Sequence, residues 1–110
     1  MKSLAFNELN KASQMLRRIE GQDLQLSAVK GLVETIVEHS ANAIAFIYVE
    51  DFSSPREGLL KAMEYMPQSM WEEVFKVILM LEELPENKEL LLYIAREAVE
   101  IASSIVLHNI

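Results

Sequence analysis

The chain has 110 residues, of which 51% are hydrophobic, with three glycines, three prolines and no cysteine. This length is enough for one domain around one hydrophobic core, and the lack of cysteine excludes disulfides, thiolate metal sites and a cysteine nucleophile. The formal net charge is −7, which argues against nucleic acid as a partner because phosphate contacts need clustered lysine and arginine.

The chain has no stretch that predicts a membrane anchor or a signal peptide. Its longest uncharged run, from Ser40 to Val49, is well short of the ~20 apolar residues that a membrane span needs. The first eleven residues turn polar before a signal-peptide apolar region develops. We therefore expect a cytoplasmic protein without membrane contact.

The first predicted helix runs from about Ser3 to Glu20. Its apolar residues recur at spacings of three and four, which is typical of a one-sided amphipathic helix: Ala5, Leu9, Ala12, Leu16 and Ile19. Arg17 and Arg18 suit the carbonyl end of the helix dipole. Gly21 is predicted to cap this end, because glycine takes a positive φ without strain.

The second predicted helix runs from Asp23, a residue type that favours the N-cap, to Phe52. Along its first half, Lys30, Glu34 and Glu38 share the face opposite the apolar stripe. From Ala43 to Val49 the helix is apolar on every side. A helix that is apolar all round must be buried all round, so we expect a second copy of the chain to cover this end.

The third and fourth predicted helices each begin at a capping box. Ser54, Pro55 and Glu57 suit the first turn of a short helix that Pro67 closes. A second box, residues 69–72, opens the fourth helix. The fourth helix is predicted to bury six apolar side chains: Met70, Trp71, Val74, Phe75, Ile78 and Leu81.

The fifth predicted helix runs from about Glu86 or Asn87 to Leu107 and has an unusually wide apolar arc. Its main face combines seven residues: Leu90, Leu91, Ile94, Ala98, Ile101, Ala102 and Ile105. Three more widen the arc beyond the ~100° of an ordinary surface helix: Leu92, Val99 and Val106. One neighbouring layer cannot cover so broad a face.

These elements predict an all-α fold, an antiparallel four-helix bundle with an additional short connecting helix, in one domain over residues 1–110. No segment alternates polar and apolar residues over a useful length. The surplus apolar surface of the second and fifth helices predicts a homodimer. Its predicted interface has four residues: Phe46, Val49, Leu92 and Val99.

Two carboxylate pairs are candidates for metal chemistry, and neither has the required geometry. Glu34 and Glu38 lie four residues apart on one face beside His39. Glu38 directly precedes His39, so these two diverge by about 100° around the helix, whereas ferritin-like sites place a glutamate three residues before the histidine. Glu97 and Glu100 have the ExxE spacing of all-α, metal-dependent nucleotide pyrophosphatases, but both lie opposite the apolar face. Only a dimer would bring such outward carboxylates together.

The remaining polar and sulfur-containing residues predict structural roles. His39 borders the apolar face and is expected to make a polar contact, while His108 lies near the chain end, where helices usually fray. We therefore predict no catalytic, cofactor-binding or metal-binding residue. Four methionines near Trp71 are expected to fill the core: Met63, Met66, Met70 and Met80.

Three helical stretches and one connecting segment resemble the HEPN families of small prokaryotic helical domains. They are NKASQMLRRI, AVKGLVETIVEHSANAIAFIY, LLYIAREAVEIASSIV and SPREGLLKAM. Active members of these families carry an arginine, a polar residue and a histidine near the start of the last long helix, where this chain reads MLEELPENKELL. The resemblance therefore implies a member without the ribonuclease motif.

The expected function is that of a non-catalytic homodimer, without cofactor, that acts through protein contacts or small-ligand binding. A degenerate HEPN-type component of a toxin–antitoxin or nucleotidyltransferase-associated pair fits this description. One alternative is an acidic immunity-type or antitoxin-type protein that neutralises a basic partner through Glu72, Glu73, Glu82 and Glu83. Another is a metal-dependent nucleotide hydrolase whose carboxylates assemble across a dimer.

Overall fold

Residues 2–109 are described by the computed structural model and form five α-helices joined by short connections. The helices are α1 (Lys2–Glu20), α2 (Leu26–Tyr48), α3 (Pro55–Met63), α4 (Trp71–Glu82) and α5 (Lys88–His108), with a 3-10 turn at Gln68–Met70 before α4. No β-strand occurs within residues 2–109, which confirms the all-α class. None of these helices combines the length and apolar character that crossing a membrane requires.

The central helix is α2, which packs against each of the other four α-helices. Nine of its side chains are buried: Val29, Val33, Ile36, Val37, Ser40, Ala41, Ala43, Ile44 and Ala45. α1 packs on α2 and α5, whereas α4 packs on α2, α3 and α5. Within the described residues α1 and α4 share no substantial packing, so they lie on different sides of the central helix.

The apolar end of α2 is covered by the chain itself. Residues 43–45 are fully buried. The helix ends at Tyr48 instead of continuing to Phe52, which lets the Phe52 ring turn back onto Phe46 with 4.7 Å between ring centroids. The 49–54 connection and α3 supply this cover within one chain, so the burial of residues 43–45 does not require a second copy. The homodimer itself stays a prediction.

Two helix starts follow the predicted capping chemistry. The Ser54 hydroxyl accepts a hydrogen bond from the Glu57 backbone N–H at 3.1 Å, with Pro55 at the first helical position. The Glu57 carboxylate does not complete the box and instead accepts from the Ser53 hydroxyl. At α5 the Asn87 side chain accepts from the Leu90 N–H at 3.0 Å. Each cap satisfies a backbone donor that the first helical turn leaves free.

Three other predicted caps do not form, although α1 ends at Glu20 as predicted. Gly21 has no positive φ, and α2 begins after Gln25, which makes no side-chain cap. Asp23 instead lies in the connection, 3.5 Å from the Lys88 ammonium group. Ser69 does not cap α4, because a 3-10 turn leads into that helix. The residue types at these positions favour helix caps, but the conformation of the connections between the helices determines where each helix begins and ends.

Two side chains predicted to be buried are half exposed: Phe75 is 50% exposed and Leu90 is 51% exposed. α4 buries only Val74, Val77 and Ile78. Since this helix lies at the edge of the molecule, its buried arc is narrower than its apolar arc. The predicted core role of the methionines is confirmed, since two are buried and two pack partly buried against the core: Met63, Met66, Met70 and Met80.

Candidate functional site

A small polar cluster joins α1 to α2. The Glu8 carboxylate accepts hydrogen bonds from His39 Nδ1 at 2.8 Å and from Asn42 Nδ2 at 3.0 Å, and the Lys11 ammonium group lies 3.6 Å away. An ionised carboxylate only accepts hydrogen bonds, so Nδ1 carries the imidazole proton. The predicted polar contact of His39 is therefore present. Its partner was missed because Glu8 lies 31 residues away in sequence.

A carboxylate that orients a histidine through Nδ1 also occurs in general-base catalysis, where the base activates a hydroxyl or thiol nucleophile. Here the nearest hydroxyl in sequence, on Ser40, is fully buried and donates to the Ile36 carbonyl at 2.8 Å. The Thr35 hydroxyl likewise donates to a backbone carbonyl, that of Gly31, at 3.2 Å. Both hydroxyls donate to backbone carbonyls of α2. We therefore interpret the cluster as a structural polar contact that holds α1 against α2.

Removing the Glu8 carboxylate tests this structural role. Glu8→Ala is expected to lower the free energy of unfolding by about 1–3 kcal/mol, because two half-buried donors lose their acceptor. Glu8→Gln keeps an acceptor oxygen and should lose less. Urea unfolding followed by circular dichroism measures both changes. Glu34→Ala, at an exposed position of α2, is the control; equal stability of Glu8→Ala and this control would contradict the assignment.

Glu97 and Glu100 line a narrow groove between α4 and α5. Glu73 from α4 also lines it, which the sequence did not predict. The Lys76 ammonium group lies 3.1 Å from Glu73, and the pKa of Lys76 is raised, chiefly by this hydrogen bond and then by the charges of Glu73, Glu97 and Glu72. Among residues 2–109 no three histidine, aspartate or glutamate side chains lie close enough to hold a metal ion.

The outer face of α4 exposes large apolar side chains. Phe75 is 50% exposed and Leu79, one helical turn further, is 64% exposed. Both lie roughly 100–140° around the helix from the buried Val74. Leu79 also borders an open groove whose other lining residues come from the end of α4 and the loop behind it. This face therefore combines apolar surface with a concave edge.

α3 adds a third exposed apolar residue beside this face. The Arg56 Nε atom at the start of α3 lies 3.2 Å from a Glu82 oxygen at the end of α4. At the other ends of the two helices, the Trp71 indole N–H donates to the Met63 carbonyl at 3.0 Å. The helices thus run antiparallel, and Leu60, 41% exposed, lies level with the middle of α4.

We call Leu60, Phe75 and Leu79 the contact strip. On the other side of α4, Leu90 and Tyr93 of α5 are 51% and 59% exposed. They lie seven and four residues before Glu97, so they share its side of α5, which faces the α4–α5 groove. Exposed apolar side chains therefore flank α4 on both sides.

The four residues predicted for a dimer interface lie elsewhere. Phe46, Val49 and Leu92 are half-buried against the core, and Val99 is only 9% exposed. A dimer interface through these four residues stays a prediction. The contact strip was missed because Phe75 was assigned to the buried arc, although its offset from Val74 was visible in the sequence.

No protein-family model matches this chain, and neither the curated proteins nor the solved structures include a significantly similar one. The resemblance to HEPN domains therefore stays a prediction.

Proposed function

We propose that this chain is a non-catalytic helical domain that acts by binding another protein chain through the contact strip. In this proposal α1, α2, α4 and α5 form an antiparallel four-helix bundle, and α3 is its short connecting helix. The observation that carries the proposal is the exposure of Leu60 on α3 and of Phe75 and Leu79 on α4, two helices that pack against each other. Contiguous apolar surface with a polar rim is typical of protein interaction sites.

The energetics support a contact of moderate strength. Moving a leucine or phenylalanine side chain from full exposure to full burial is worth about 1.5–3 kcal/mol. The three side chains of the contact strip are 41–64% exposed, so roughly half of this value per residue remains available to a partner. A strip of this kind supplies the apolar centre of an interface, and the surrounding charged groups then determine which partner fits.

Site-specific photocrosslinking in the cells that make this protein tests the proposal. A photoreactive phenylalanine analogue is placed at position 75 and, as the matched control, at Leu4, which is 43% exposed on α1 at a different side of the molecule. We expect an adduct from position 75 and none from position 4. Leu79→Ser should remove the adduct while the circular dichroism spectrum stays unchanged.

Equal yields from the two positions, or no adduct from position 75, would overturn the proposal. The mass of the adduct also identifies the class of partner. Twice the mass of the chain would indicate that a second copy occupies the strip, which is a different face from the dimer interface expected from the sequence. Any other mass indicates a different protein.

A further inference from the structure

We infer that the contact strip receives a lysine-rich or arginine-rich amphipathic helix of a partner protein. This inference rests on the proposed function and specifies the partner. It combines two observations that are independent of each other, the spacing of the apolar side chains and the distribution of unpaired charge around them.

The spacing of the strip fits a helix. Phe75 and Leu79 are four residues apart on α4, about 6 Å along the helix axis, which matches the rise between apolar residues at i and i+4 on a partner helix. Leu60 on α3 is exposed and lies level with the middle of α4, because Arg56 and Met63 contact opposite ends of that helix. Addition of a β-strand needs an exposed strand edge, and residues 2–109 contain no strand.

The segment from α3 to the end of α4 carries a surplus of negative charge. Residues 55–83 contain three cationic side chains and six carboxylates, a balance of −3. All three cations are already paired: Arg56 with Glu82 at 3.2 Å, Lys61 with Glu57 at 2.9 Å and Lys76 with Glu73 at 3.1 Å. The remaining carboxylates, those of Glu64, Glu72 and Glu83, form no ion pair within 4.0 Å among residues 2–109.

Two of these unpaired carboxylates border the contact strip. Glu72 lies three residues before Phe75 and is exposed on the same face of α4. Glu83 follows the helix four residues after Leu79, and both line the same open groove. The apolar pair therefore lies between two carboxylates that form no ion pair among residues 2–109. A partner helix with leucines in one stripe and lysines beside it would satisfy both features.

The same charges argue against other occupants. Every cation of residues 55–83 is paired internally, so a two-fold contact of this face with a second copy would place carboxylates against carboxylates. Nucleic acids and anionic membranes are repelled for the same reason. A basic helix is attracted by the same carboxylates.

Synthetic peptides test the inference directly. The probe is an amphipathic peptide of about 18 residues, five helical turns, with one leucine stripe flanked by lysines. One control peptide replaces the lysines with glutamates, and another keeps the composition but scrambles the order. Fluorescence anisotropy measures binding to the full chain, and NMR shifts locate it. We expect that only the lysine peptide of the three binds, and that the NMR chemical-shift changes are concentrated on α4.

Variants of the chain separate the two contributions to binding. The double variant Phe75→Ser/Leu79→Ser should weaken binding at least about tenfold, or ~1.4 kcal/mol, and Glu72→Gln/Glu83→Gln should weaken it and reduce its salt dependence. Leu4→Ser, on α1, is the control and should leave binding unchanged.

Several results would overturn the inference. Equal binding of the scrambled peptide would mean that charge alone attracts it. Sedimentation of a dimer that Phe75→Glu dissociates would place a second copy on the strip. Crosslinking from position 75 without peptide binding would also reject the basic helix, while the proposed protein contact would stand. If neither crosslinking from position 75 nor peptide binding is observed, both the proposed protein contact and the basic helix are rejected.

Discussion

Ile44→Ala is expected to destabilise the protein by about 2–5 kcal/mol, the usual range when a buried isoleucine leaves a cavity. Ile44 is fully buried near the end of α2, the helix that packs against all four others. Urea unfolding, followed by circular dichroism, measures the change.

The control for this prediction is Leu79→Ala, at a position that is 64% exposed, which should change stability by less than about 0.5 kcal/mol. Because the chain itself covers the end of α2, the loss from Ile44→Ala should not depend on protein concentration. Stability that rises with concentration in the unmodified chain, and no longer does so in the variant, would show that a second copy buries this end.

Gly58→Ala and Gly31→Ala are expected to change stability in opposite directions. A Cβ atom at Gly58 would lie 2.8 Å from the Phe52 ring and 2.9 Å from the Ala45 Cβ, well inside the ~3.5–4.0 Å of favourable carbon contacts. We expect a loss of about 1–3 kcal/mol from this overpacking. At Gly31 nothing lies within 4 Å, so alanine should add about 0.5–1 kcal/mol through its helix propensity.

Thermal or urea unfolding of both glycine variants, side by side, checks the prediction. Phe52→Ala in the Gly58→Ala background should recover part of the loss, because it removes one of the two clashing groups. If both glycine variants were more stable than the parent chain, the close approach of α3 to α2 beneath Phe52 would be contradicted.

The helices were predictable from the sequence because their signals are local. Residues three and four apart define an apolar stripe, and the caps of Ser54 and Asn87 act within one helical turn. The same kind of signal failed at Gly21 and Asp23, since a favoured cap residue does not guarantee that the chain turns there. These local patterns do not predict which helix or connection packs over which apolar surface.

Non-local contacts explain the largest differences. The end of α2 was expected to need a second copy because the sequence does not indicate that Phe52 folds back onto Phe46. The pairing of Glu8 with His39 joins helices whose relative rotation is set by the whole core.

The candidate surface was predictable in part. The sequence predicted an acidic surface for a basic partner, made of Glu72, Glu73, Glu82 and Glu83. In the structure two of the four form ion pairs within the chain, Glu73 with Lys76 and Glu82 with Arg56. The apolar centre of that surface was missed, because an apolar residue on an amphipathic helix is ordinarily assigned to the core. Its exposure follows from the position of α4 at the edge of the molecule.

The edge position of α4 separates the residues that hold the fold from those that would meet a partner. Its inward side chains, such as Val74 and Val77, are fully buried, whereas exposed positions such as Phe75 and Leu79 tolerate substitution with little change in stability. Descendants of this chain can therefore change the chemistry of the outer face, and with it the choice of partner, while the sequence of α2 stays constrained. Such a division lets recognition diverge faster in evolution than the architecture that supports it.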